Sequence, residues 1–70
     1  MRPELGIRTT DSLIFFIPGT KAEYEIEYDL MDTPGKVFGW IRQLVDKKWV
    51  TIEHIAELIA TAEYNGVEIR

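Results

Sequence analysis

The 70-residue sequence predicts an α+β fold, an antiparallel β-hairpin packed on two amphipathic helices in the order ββαα, with room for a short terminal strand. Three observations carry this. Lys21 to Leu30 (KAEYEIEYDL) alternates Tyr24, Ile26, Tyr28 and Leu30 with Glu23, Glu25, Glu27 and Asp29, the period-two pattern of a half-buried strand. Ser12 to Ile17 (SLIFFI) is rich in β-branched and aromatic residues and stops at Pro18-Gly19. Beyond Asp32 the apolar residues recur at helical rather than strand spacing.

Residues 1–11 form either an ordered arm or a short strand, in which Leu5 and Ile7 alternate with Glu4, Gly6 and Arg8. Residues 12–30 form the hairpin. Pro18 presets φ and Gly19 accepts φ > 0, which suits a type II turn. An even-length loop puts Leu13, Phe15 and Ile17 on the face of Tyr24, Ile26 and Tyr28 and leaves Ile14 and Phe16 beside the glutamates; an odd loop exchanges those sets.

The first helix is predicted over residues 33–49. Asp32-Thr33 supplies a polar acceptor before Pro34, whose missing N–H would be unpaired there anyway. Val37, Phe38, Ile41, Leu44 and Val45 make the apolar side, with Trp40 and Trp49 at its borders and their indole N–H groups in water. Gly35 and Gly39 mark a start that is loose or closely packed. Thr51 caps the second helix, predicted over residues 51–65, with Ile52, Ile55, Ala56, Leu58, Ile59 and Ala62 inward and Asn65-Gly66 as its C-terminal cap. Val67-Glu68-Ile69 alternates as a short last strand or tail over residues 67–70.

Composition limits what such a chain can be. It fits one domain, it has no cysteine for a disulfide or a thiolate metal site, and its longest apolar run, Leu13 to Ile17, is far below the ~20 residues of a membrane span. With no signal-peptide pattern at Met1, the expectation is cytoplasmic. Net charge is −4 and unevenly placed: Glu23, Glu25, Glu27, Asp29 and Asp32 occupy a stretch without a base, whereas the rest of the chain holds seven acids and eight bases.

That row is the one unusual chemical feature. Alternate strand residues stand roughly 6.5–7 Å apart, close to the spacing of successive phosphates, so the acids suit a basic groove on a protein partner. In either register large apolar groups lie beside them. Glu23, Glu25, Glu27 and Asp29 are therefore the candidate charged contacts, and Ile14 and Phe16 the apolar ones. Direct nucleic-acid binding is disfavoured because Arg2, Arg8, Lys21, Lys36, Arg42, Lys47, Lys48 and Arg70 are scattered, and the second helix offers His54 but no lysine or arginine.

Catalytic residues are not apparent. Ser12 is the only serine and His54 the only histidine. Glu53, His54 and Glu57 are too few for a closed metal site, and His54 reads as a surface residue packed on Leu58. No catalytic residue, cofactor or metal is expected.

Asp32 to Ile55, DTPGKVFGWIRQLVDKKWVTIEHI, resembles a segment of small uncharacterised proteins of phages, prophages and other mobile elements. The shared features are a D-T-P helix start, a G-W, a lysine-tryptophan junction and a following threonine cap. The resemblance implies a setting in which tiny acidic proteins bind and block a host or rival protein, as anti-restriction and anti-CRISPR proteins do. The combined expectation is a non-enzymatic protein-binding module, with a homodimer through the sheet face as the alternative and a DNA-binding regulator third.

Overall fold

A computed structural model describes residues 1–69. Strands β1 (Gly6–Arg8), β2 (Ser12–Phe16) and β3 (Glu23–Glu27) form an antiparallel sheet in that spatial order, followed by helices α1 (Pro34–Leu44) and α2 (Ile52–Tyr64). The α+β architecture expected from the sequence is present, and residues 1–11 contain both an arm and a short strand, Gly6–Arg8.

The hairpin turn forms as its residues dictate. Gly19 has φ 77°, and the Thr20 N–H donates to the Ile17 carbonyl at 3.2 Å, closing a turn of type II character around Pro18-Gly19. Phe15 pairs with Tyr24, Leu13 with Ile26 and Ile14 with Glu25, which is the even-loop register. Leu13, Phe15 and Ile26 are consequently buried, and the glutamates face outward. The ladder ends where the Tyr28 N–H reaches the Asp11 carbonyl at 2.9 Å, because Tyr28–Leu30 tightens into a 3₁₀ turn. Asp29 thus leaves the strand that its alternation had suggested.

On the other side of β2, the Phe16 N–H donates to the Leu5 carbonyl at 2.9 Å and Gly6 lies opposite Phe15. A Cβ at Gly6 would fall inside contact distance of the Ile14 carbonyl. Glycine is required there by close backbone approach, not by an unusual φ.

Both helices depart from the faces that periodicity suggests, and α1 also from its length, whereas α2 runs between the predicted caps Thr51 and Asn65. Thr33 caps α1, its hydroxyl accepting from the Lys36 N–H at 3.2 Å, with Pro34 in the first turn. The helix stops at Leu44, short of residue 49. Two successive turns, from the Lys47 N–H to the Leu44 carbonyl and from the Val50 N–H to the Lys47 carbonyl, bring Trp49 edge-on to Tyr24 and His54. In a continued helix Trp49 would point about 140° away from Leu44, toward solvent. Trp40 also has a fixed partner: its indole N–H donates to the Leu30 carbonyl at 2.9 Å. Around Gly35 and Gly39 there is open space, so neither is a close-packing position.

α2 is turned relative to the predicted face. Its buried residues are His54, Leu58, Thr61 and Ala62, while Ile52 and Ala56 are exposed. Thr61 can be buried because its hydroxyl donates to the Glu57 carbonyl at 2.7 Å and accepts from Arg8 Nε at 2.9 Å. At the C-terminus, Gly66 has φ 89°, its N–H bonds the Glu63 carbonyl, and the Val67 N–H bonds the Ala62 carbonyl. This is a Schellman cap. It draws Val67 into the core as the hydrophobic contact of the cap, so 67–69 adds no strand to the sheet. Arg70, the last residue of that predicted segment, lies outside the described residues.

Leu13, Phe15, Ile26, Met31, Val37, Leu44, Leu58, Ala62 and Val67 make one core between the inner sheet face and the helices. Gly6→Ala should push β1 off β2 and lower stability by about 1–3 kcal/mol, read as a lower urea midpoint; an unchanged midpoint would show that the Ile14 carbonyl yields freely.

Candidate functional site

The outer sheet face is built by alternation along all three strands. Ile7 stands on β1, Ser12, Ile14 and Phe16 on β2, and Glu23, Glu25 and Glu27 on β3. Ile14 therefore lies between Ile7 and Glu25, and Phe16 next to Glu23. Ile14 and Phe16 are half-buried and Ile7 is 50% exposed. A shallow hollow lined by Met1, Pro3, Gly6, Ile7, Arg8 and Phe16 continues the apolar half of the face toward the N-terminus.

The acidic half gathers at the opposite side. Thr10, Asp11, Glu25, Glu27, Tyr28 and Asp29 line a second hollow, in which Asp29 joins the row from the 3₁₀ turn and not from the strand. Asp11 is a member that sequence reasoning missed, since only the register places the loop before β2 beside β3. That loop is pinned by the Thr9 hydroxyl, which accepts from the N–H groups of Asp11 (3.1 Å) and Ser12 (2.9 Å), and by the Tyr28 hydroxyl, which donates to the Thr9 carbonyl at 2.6 Å. Buried Ser12 donates to Glu25 Oε2 at 2.7 Å, fixing one carboxylate in place. Among the described residues, Glu23, Glu27, Asp11 and Asp29 form no ion pair.

β3 is an edge strand, and its hydrogen-bond phase is defined. The Ile17 N–H to Ala22 carbonyl bond and the Tyr28 N–H to Asp11 carbonyl bond show that Ala22, Tyr24, Ile26 and Tyr28 turn their backbone groups toward β2. The backbone N–H and C=O groups of Glu23, Glu25 and Glu27 point to the free edge. The residues with acidic side chains are thus also those with unpaired backbone groups.

Arg2, Arg8, Lys36 and Lys47 are engaged within the fold instead. Arg8 leaves the inner face of β1 to pair with Glu57 at 2.8 Å as well as Thr61, and Arg2 pairs with Glu53. Lys36 pairs with Asp32 at 2.9 Å, and Lys47 lies over the Tyr24 ring at 5.0 Å. With Glu53 and Glu57 engaged, the Glu53–His54–Glu57 combination does not form. Among the described residues there is no group of three or more histidine and carboxylate side chains placed to hold a metal.

His54 is a core residue, 2% exposed, where the sequence suggested a surface one. Its Nδ1 accepts the Thr51 N–H at 2.9 Å, closing the N-terminal cap of α2, and its ring meets Phe15 and Trp49 edge-on. That acceptor role puts the ring proton on Nε2, which is buried without a hydrogen-bond partner. Burial lowers its pKa below the ordinary 6.5, partly offset by the Glu53 charge.

The chain matches no protein-family model, no curated protein and no solved structure. Among the described residues no helix is long and apolar enough to cross a membrane.

Because His54 is neutral in the fold and protonates more readily when unfolded, it contributes stability that is full above pH 6.5 and declines as pH falls toward its lowered folded value. His54→Gln keeps an acceptor for the Thr51 N–H and cannot titrate. Urea midpoints measured between about pH 7 and pH 5 should fall more steeply for the parent than for His54→Gln; equal slopes would remove His54 as the cause.

Proposed function

We propose that this protein is a non-enzymatic binding module that captures another protein through its outer sheet face. In the mobile-element setting that the Asp32–Ile55 segment resembles, the corresponding role is inhibition of a host or defence protein. The observation that carries the reading is the gathering of unpaired acids, Glu23, Glu27, Asp11 and Asp29, with Glu25, at one free edge beside Ile7, Ile14 and Phe16. Charge at the rim steers and selects; apolar area at the centre supplies contact.

The suited partner carries lysine or arginine, in a groove or along an extended segment. A strand added to β3 would hydrogen-bond to Glu23, Glu25 and Glu27, and its residues directly opposite would project on the same face as their carboxylates. Bases there would be neutralised pairwise.

Acidic side chains also speak against the two other readings. A two-fold pairing of β3 with its own copy sets Glu25 against Glu25 and Glu23 against Glu27, which like-charge repulsion opposes. A DNA-binding regulator is disfavoured because α2 carries Glu53, Glu57 and Glu63 and no base.

Glu23→Gln, Glu25→Gln and Glu27→Gln combined should leave the circular-dichroism spectrum as it is, while proteins retained from host lysate at low salt are lost and the salt dependence of their capture flattens. Retention of the same proteins by the triple variant would refute the reading.

A further inference from the structure

α1 and α2 bury only part of their apolar surface. Val37 and Leu44 of α1 enter the core, yet Phe38 is 50% and Val45 60% exposed, and Ile52 at the start of α2 is 83% exposed. Phe38, Ile41 and Val45 recur at three- and four-residue spacing, and so do Ile52, Ile55 and Ile59, which makes one row along each helix. A shallow groove lined by Val45, Val50, Thr51, Ile52 and Ile55 joins the two rows across the interhelical junction. No charged side chain lines that groove.

We propose that this helical face is where two copies of the chain associate, about a two-fold axis that lays α1 of one protomer on α2 of the other. Charge favours a second copy in that crossed arrangement. Lys36, Glu53 and Glu57 are engaged with Asp32, Arg2 and Arg8, which leaves Arg42 as the free charge of α1 and Glu63 as that of α2. Laying α1 on α1 or α2 on α2 would instead face like charges. Arg42 and Glu63 form no ion pair among the described residues. At 100° per residue they lie about 40° from Phe38 and about 20° from Ile52, along the borders of the two rows.

The area is modest. The half-exposed Phe38 and Val45 with Ile52 leave on the order of 300 Å² of apolar surface in water, so the interface falls below the standard size of roughly 800 Å² per partner. An interface this small suits weak, reversible association. It leaves both acidic sheet faces outward, and it stands whether or not those faces bind a partner.

Sedimentation velocity over roughly 5–500 μM should show the mass rising from 8.1 kDa toward twice that value. Val45→Glu and Ile52→Glu, each at an exposed position that the fold tolerates, should raise the dimer dissociation constant about tenfold or more by placing a charge in the apolar strip. The triple Glu→Gln variant of β3 should leave that constant unchanged. An 8.1-kDa species at every concentration would overturn the proposal. A dimer that survives both Val45→Glu and Ile52→Glu, or that responds to the β3 variant instead, would overturn it as well.

Discussion

The pairing of Phe15 with Tyr24 and Leu13 with Ile26 governs the rest of the molecule. Because side chains alternate with a period of two, sliding β3 by one residue would turn its glutamates onto the helices and put Ile26 in water. The turn at Pro18-Gly19 sets the loop length, and the loop length sets that register. From it follow the core on one face, the acidic row on the other, and the outward direction of the backbone groups at Glu23, Glu25 and Glu27.

A domain of this size has little stability to spare, of the order of 3–5 kcal/mol from its core, and it has no disulfide. Its two ends are instead joined by polar contacts. Arg8, on the shortest strand, reaches both Thr61 and Glu57 of α2, and the N-terminal arm adds the Arg2–Glu53 pair. Ion pairs this exposed contribute roughly 0–1 kcal/mol each; their consequence is positional, holding β1 and α2 in fixed relation across the core. His54 does similar work within α2, capping its start and filling the space between Phe15 and Trp49 with one ring.

Sheet and helices therefore present surfaces of opposite chemistry. The sheet face concentrates like charge along an edge where unpaired backbone groups would otherwise invite self-addition, and like charge opposes pairing of that edge with its own copy. The helical face has little charge to repel a copy and an apolar strip left open by the core. Under the two proposals, the helical face would meet a second copy and the sheet face a different protein.

Much of this was written in local pattern. The alternation of Tyr24, Ile26 and Tyr28 with the glutamates, the Pro18-Gly19 turn, the Thr33-Pro34 start and the Asn65-Gly66 stop each act through a few neighbouring residues, and each appears in the structure. What hydropathy alone misassigned were residues whose environment depends on distant partners. Phe38, Val45 and Ile52 read as core and are exposed; His54 read as surface and is buried, because its ring fills the space between Phe15 and Trp49 while its Nδ1 accepts the Thr51 N–H. The early end of α1 belongs to the same class, since Trp49 reaches Tyr24 and His54 only if the helix stops. The candidate site divides likewise: the glutamates of β3 were legible as a row, whereas Asp11 and Ile7 joined them only through strand pairing. By itself the sequence determined the element order and the acidic row, since both arise from backbone geometry and nearest neighbours. Helix rotation and the early end of α1 were decided by tertiary packing, because each depends on which side chains from distant parts of the chain fill the same space.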